Sequence, residues 1–473
     1  MMHSLKTMKN KVAFCLALCL APLLVPSASN APVLLQPAVK VLQCATSHAT
    51  EGVIPAVVRI VGDWEVEVAL PGNPQPTRLA VQPPNVVTVT DERIASLNPW
   101  TEEKTGWLTK NPGTPKMVRL AGLTDPFFMG NAMLDMSSLT LRSAKTPMVN
   151  YTAGKDFAVN SSGSLGRLPN GRIADGEAVL VSYRYYERRI DGVFHKSGGE
   201  VVLRPGKPRK GAPLPPDAEK DEEHLANIYV PERLAQLGNG NLFPVLEETY
   251  PEPMQTPPSP AERALPRTLR RLTEGGPIKI LVWGDSVTGG YLGRDMWHQQ
   301  FLKRLAERFP RAKVELVVRS GPNSLIFYTA ALGESYNYAE KILAEKPDLV
   351  ISEFLNDCPL DVNETEGRYR KVLEDLRAMG TEWIILTPHY STHTGIRIER
   401  DCDEDPRAYV KMVRRFAAEN NIALADASLR YGRLWRQGLH WTTLMVNSMN
   451  HPDSRGMAIF VDSIFALFPP PTP

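Results

Sequence analysis

A serine that follows glycine and aspartate where an apolar run ends is well placed to act as a nucleophile. Gly284-Asp285-Ser286-Val287 follows Ile280, Leu281 and Val282 in this way. Such a serine sits at the carboxyl edge of a strand, near the start of the next helical region. There its backbone N–H can donate to a developing oxyanion and its hydroxyl can meet a substrate. Gly284 lets the chain turn tightly. Alone, the tripeptide would read as a turn serine serving local backbone groups. Three further residues change that reading, because each lies after a strand or at the sheet edge. Gly321, in Arg319-Ser320-Gly321-Pro322-Asn323, follows the second strand. Asn356, in Glu353-Phe354-Leu355-Asn356-Asp357, follows the third, and His451, in Asn450-His451-Pro452-Asp453, precedes the last helix.

In this order and spacing the four residues resemble the namesake set of the SGNH hydrolases, a branch of the GDSL esterases and lipases. The resemblance runs from Lys279 to Pro469 and covers none of the first half of the chain. The Gly-x-Ser-x-Gly elbow of α/β-hydrolases is not matched, since Thr288 holds the place of its last glycine. The resemblance implies a serine esterase needing no metal or other cofactor. Ser286 would attack an acyl carbonyl after His451 takes its proton, giving an acyl-enzyme. The oxyanion would be held by the N–H groups of Ser286 and Gly321 and by the side-chain amide of Asn356. The family carries an Asp three residues before the His, and here that place is Ser448, with Asn447 and Asn450 beside it. Three readings follow: a Ser–His dyad, a slow enzyme, or an acid recruited from elsewhere, with Asp453 and Asp357 the nearest in sequence to the motifs. Phe354 also stands where the family often has Gly.

The elements that must hold these residues alternate from Ile278 onward. Short apolar strands at Ile280–Val282, Val314–Val318, Leu349–Ser352, Trp383–Leu386 and Ile422–Ala425 are separated by runs of helical period. Trp297, Phe301, Leu305 and Phe309 mark one helix, stopped by Pro310; Tyr369, Val372, Leu373 and Leu376 mark another, ended by Gly380. This alternation predicts a flavodoxin-like three-layer α/β/α parallel sheet over 275–470, with ligands outside the carboxyl ends of the strands. His389 and His393, after the fourth strand, lie on that edge as candidate substrate contacts.

The segment 45–204 reads instead as a β-rich, sandwich-like domain. Val179, Val181, Tyr183 and Tyr185 alternate with Leu180, Ser182, Arg184 and Tyr186, and Trp64, Val66 and Val68 alternate with Glu65, Glu67 and Ala69. The tyrosines could stack on sugars, but high strand propensity explains them better. Prolines 205, 208, 213, 215 and 216 then predict a linker over 205–270 that includes a short packed piece.

Lys6, Lys9 and Lys11, the apolar run Val12–Val25 and the small residues Ser27, Ala28, Ser29 and Ala31 form the three parts of a signal peptide over 1–31. The expected destination is secreted or periplasmic, with no membrane span after signal removal. A net charge of +2 and the absence of a basic stripe argue against nucleic acid as a partner. Cys44, Cys358 and Cys402 would remain, an odd number that is no disulfide framework, although a Cys358–Cys402 bridge is open. The acidic run Asp401, Asp403, Glu404, Asp405 lacks EF-hand spacing and glycine and reads as a solvated loop or as charge at a helix N-terminus. Export, the SGNH set and a β-rich companion together point to an acylated carbohydrate, or another ester, as substrate. A polysaccharide O-acyltransferase and a retired, glycan-binding SGNH domain are the competing readings.

Overall fold

The computed structural model describes residues 56–101, 117–123, 134–160, 163–290, 295–393, 395–398, 402, 404–447 and 449–470. The segment read as a signal peptide and the Ser448 slot lie outside them, as do Asp401 and Asp403.

Five parallel strands, Pro277–Gly284, Lys313–Ser320, Leu349–Glu353, Glu382–Leu386 and Ala423–Ala425, lie in the order second, first, third, fourth, fifth. This is the flavodoxin-like order. The first strand explains why its sequence is apolar throughout rather than alternating. Ile278, Ile280 and Val282 enter one core with the first and last long helices, while Leu281 and Trp283 enter another with the helices Val362–Met379 and Ala408–Glu419. Both faces are therefore covered, as a parallel sheet requires. Each large apolar side chain so buried contributes roughly 1.5–3 kcal/mol. Gly380 ends the helix Val362–Met379 with φ of 74°, a left-handed conformation that favours glycine.

Upstream, the described strands pair antiparallel in four sheets. Val66 and Val68 of one share a core with Val193, Leu225 and Ile228 of another, which is sandwich packing. Val179, Val181, Tyr183 and Tyr185 point inward as their alternation predicts. Tyr183 hydrogen-bonds Glu92 at 2.6 Å and is core, not a sugar platform. Glu67, assigned by alternation to the polar face, is buried against Arg59 at 2.8 Å and Arg78 at 3.3 Å.

The boundary placed at residue 204 is corrected. Glu222–Val230 pairs with Arg189–Lys196, and Leu242–Pro244 pairs with Glu222–Val230 in turn, so the β-rich part extends through the expected linker. Proline density marked an extended path there, but not one free of tertiary contacts. Asn227 donates to the Gly438 carbonyl at 2.8 Å, and Tyr229 and Phe243 enclose the His440 ring, tying this sheet to the parallel-sheet part.

Candidate active site

Three loops at the carboxyl edge of the sheet, together with the entry to the last helix, carry the site. Gly284 closes the first strand. A Cβ there would lie 2.2 Å from Thr288 Oγ1 and 2.4 Å from the Glu353 carbonyl oxygen, so close approach, not a special turn, demands glycine. Asp285 then caps the short helix Ser286–Gly289, accepting from Val287 N–H at 2.9 Å through one carboxylate oxygen. Its other oxygen accepts from Asn356 N–H at 2.8 Å. One buried carboxylate thereby fixes the Ser286 turn to the Asn356 loop. Sequence reasoning gave Asp285 no such role, although an Asp directly before a helix start is the signal for a cap.

Ser286 is half-buried, and its Oγ lies 3.1 Å from His451 Nε2. The structure thus brings together two residues 165 positions apart. Burial lowers the His451 pKa to about 4, so the ring is neutral and able to accept a proton at pH 7. On the far side of the ring, Nδ1 lies 2.8 Å from Asn450 Oδ1 and 2.8 Å from Asn447 Nδ2.

The side-chain amide of Asn356 donates to the Pro322 carbonyl at 2.9 Å, which leaves the second hydrogen of its NH2 group for a substrate oxygen. Gly321 differs from expectation. Its N–H donates to the Gly284 carbonyl at 3.0 Å, extending the ladder between the first two strands, so it serves an oxyanion only by exchanging that bond. A Cβ at Gly321 would meet Phe327 at 2.6 Å and Tyr336 at 2.9 Å, so packing alone also requires glycine there. Tyr336, which such a Cβ would meet, is exposed, as are Tyr328 and Leu332 on the following segment.

The two acids offered for the base are engaged elsewhere. Asp453 caps the last helix through Arg455 and Gly456 N–H, both at 3.0 Å, and its second oxygen pairs with the Arg455 guanidinium at 2.7 Å. Asp357 accepts from Ser324 N–H at 2.9 Å and from the Tyr369 hydroxyl at 3.1 Å, joining the Gly321 and Asn356 loops. His389 is not a substrate contact. It is fully buried under the His451 loop, its Nε2 2.8 Å from the Asn450 carbonyl oxygen, while His393 is half-buried. Asp405 is not in a solvated loop: it lies just before the helix Ala408–Glu419, the other place expected for it, buried in an ion pair with Arg407 and accepting from Ser428 Oγ at 2.6 Å. Cys358 and Cys402 are thiols. Among the described residues no group of three or more His, Cys, Asp or Glu is arranged to hold a metal.

Near Ser286 three carboxyl groups, those of Asp285, Glu353 and Asp357, lie close in the dry interior. Burial raises the Asp285 pKa to about 7, with Asp357 adding repulsion, and pushes Glu353 well above the ordinary carboxylate value. Oε1 of Glu353 has no hydrogen-bond partner among the described residues. A raised carboxyl pKa means that the folded state holds a proton the unfolded chain has released. Stability is then full at acid pH and falls as pH rises from the unfolded value of about 4.5 to the folded value, at about 1.4 kcal/mol per pH unit for one group. Glu353→Gln mimics the protonated acid and is expected to flatten this decline, raising stability at pH 8 more than at pH 5. Urea unfolding at the two pH values measures the difference; equal shifts at both would mean that Glu353 is ionised in the fold.

Residues 282–459 match the model of the GDSL-like lipase/acylhydrolase family. No curated protein matches the chain. Among solved structures, the chain is similar to a catalytic mutant of an acetylxylan esterase from Geobacillus stearothermophilus, at 20% identity over 40% of this chain and 92% of that one, with a TM-score of 0.33. It is also similar to a two-domain esterase active on acetylated mannans, at 19% identity over 43% of this chain and 52% of that one, with a TM-score of 0.34. An acetyl xylan esterase is similar at 20% identity over 40% and 98%, with a TM-score of 0.32.

Proposed function

We propose, from the GDSL-like lipase/acylhydrolase domain that residues 282–459 constitute, that this chain is an exported serine esterase removing acyl groups, foremost acetyl, from carbohydrate O-esters. The observation that carries the reading is the 3.1 Å approach of Ser286 Oγ to His451 Nε2 at the carboxyl edge of the sheet. Ser286 passes its proton to Nε2 as it attacks the acyl carbon, and the oxyanion is met by Ser286 N–H and the Asn356 amide. The imidazolium then protonates the departing sugar oxygen, and water, deprotonated by the same ring, releases the acid. The exposed Tyr336 ring beside Gly321 supports a sugar as leaving group, because an aromatic face packs well on a pyranose ring.

Acetate release from acetylated polysaccharides, compared with 4-nitrophenyl acetate, tests the reading. Turnover of the aryl ester with none of the polysaccharides would leave an esterase of another substrate class, and transfer of the acyl group to an added sugar would make it a transferase. For Tyr336→Ala we expect KM for an acetylated oligosaccharide to rise about tenfold, the worth of one aromatic contact, with aryl-acetate kcat changed little. Equal losses on both substrates would show that Tyr336 merely supports Gly321.

A further inference from the structure

The amides around Nδ1 of His451 have a geometry of their own. Asn447 Oδ1 accepts from three backbone N–H groups, those of Met449 at 3.0 Å and of Asn450 and His451 at 2.9 Å. Turning that amide over would aim its NH2 at three donors, so its orientation is fixed. Asn447 Nδ2 therefore faces Asn450 Oδ1, at 2.8 Å, and fixes the second amide as well. Asn447 Nδ2, Asn450 Oδ1 and His451 Nδ1 lie 2.8 Å from one another, a triangle with corners of 60°. The hydrogens of an NH2 group are about 120° apart and need near-linear acceptors, so Nδ2 cannot serve both corners well. A carbonyl oxygen accepts over a broad range of directions and can take two donors at once. The arrangement that satisfies the triangle has Asn450 Oδ1 accepting from both Asn447 and the imidazole.

We infer that Asn450 is the positioning partner of the base: its side-chain oxygen takes the Nδ1 proton of His451 and so leaves Nε2 bare toward Ser286, with Asn447 as the clamp that keeps the amide from turning. The catalytic consequence rests on the esterase reading, while the tautomer itself does not. A single unclamped Asn behind a catalytic His can donate to Nδ1 and hold the inactive tautomer, at a loss on the order of 10⁴ in kcat in a serine protease whose Asp was so replaced. The clamp blocks that turn. Asn447 and Asn450 are buried, and the loop is pinned by the contact between His389 and the Asn450 carbonyl and by the Val446 N–H to His451 carbonyl bond at 2.9 Å. An amide oxygen brings no charge to the imidazolium that forms in turnover. A carboxylate in its place would strengthen that hydrogen bond about twofold. Among the described residues, the charged and titratable groups on the surrounding elements include His389 with Tyr431 and the Arg407–Asp405 pair, Asp453 with Arg455, and Asp285 beside Ser286.

The test is the imidazole ¹⁵N spectrum of the full chain at pH 7, with the His451 signals identified by their loss in His451→Gln. The proton is expected on Nδ1, and in Asn450→Ala it is expected to move in large part to Nε2, with aryl-acetate kcat falling at least a hundredfold. Asn450→Asp should keep the proton on Nδ1, raise kcat about tenfold and move the acidic limb of kcat to higher pH, because a carboxylate favours the charged ring. A proton on Nε2 in the wild type overturns the inference, whatever the variants do. A wild type with the proton on Nδ1 but no ester hydrolysis would remove the esterase reading and leave the tautomer assignment standing.

Discussion

Ser286→Ala is expected to abolish hydrolysis of 4-nitrophenyl acetate, with a fall in kcat on the order of 10⁶. The loss should be this large because, in the proposed mechanism, the hydroxyl oxygen forms the new bond and no neighbouring group replaces it. Without Oγ no acyl-enzyme forms, and His451 can only activate water from a distance set for another reactant. The fold should survive. Ser286 is half-buried at the start of a four-residue helix whose cap belongs to Asp285, and its hydroxyl gives up one hydrogen bond, to His451. Such a bond is worth about 1 kcal/mol. Circular dichroism and the thermal midpoint should therefore match the wild type within a few degrees, while mass spectrometry after a short exposure to substrate shows an acylated wild type and an unmodified variant. Full residual activity in a folded variant would end the assignment of Ser286 as nucleophile.

The order of elements was legible because the two parts of the chain bury their strands differently. Antiparallel strands with one wet face alternate, as Val179 to Tyr186 does, while Ile280 to Trp283 is apolar throughout because both of its faces meet helices. The Ser286, Gly321 and Asn356 blocks were legible because each falls where a strand ends, and the His451 block because it directly precedes the last helix. What sequence reading missed lies in three-dimensional coincidence. Asp285 and Asp357 join loops through single hydrogen bonds that leave no local pattern, and the strand Glu222–Val230 finds its partner from beyond a run of prolines. Gly321 shows the limit most clearly: its place after a strand was correct, but whether its N–H faces a substrate or the Gly284 carbonyl depends on register alone.

That register bears on the second large effect. With the Gly321 N–H engaged by Gly284, the proposed mechanism leaves the developing negative charge chiefly to Ser286 N–H and to the Asn356 amide. Asn356→Ala is expected to lower kcat by about 10² to 10³, with KM changed less than threefold, because the donor acts on charge that exists only in the transition state. The side chain also donates to the Pro322 carbonyl, so the variant leaves that acceptor to water and should lose about 1 kcal/mol of stability. The two effects separate cleanly. Loss of the Pro322 bond alone would loosen the Gly321 loop and act on substrate binding, which appears in KM. Loss of the oxyanion donor appears in kcat and kcat/KM equally. The backbone N–H of Asn356, bonded to Asp285 at 2.8 Å, is retained in the alanine variant and holds the loop against the nucleophile turn. A fall confined to KM would therefore make Asn356 a loop anchor rather than an oxyanion donor, and would leave Ser286 N–H and an exchanged Gly321 N–H to carry the charge.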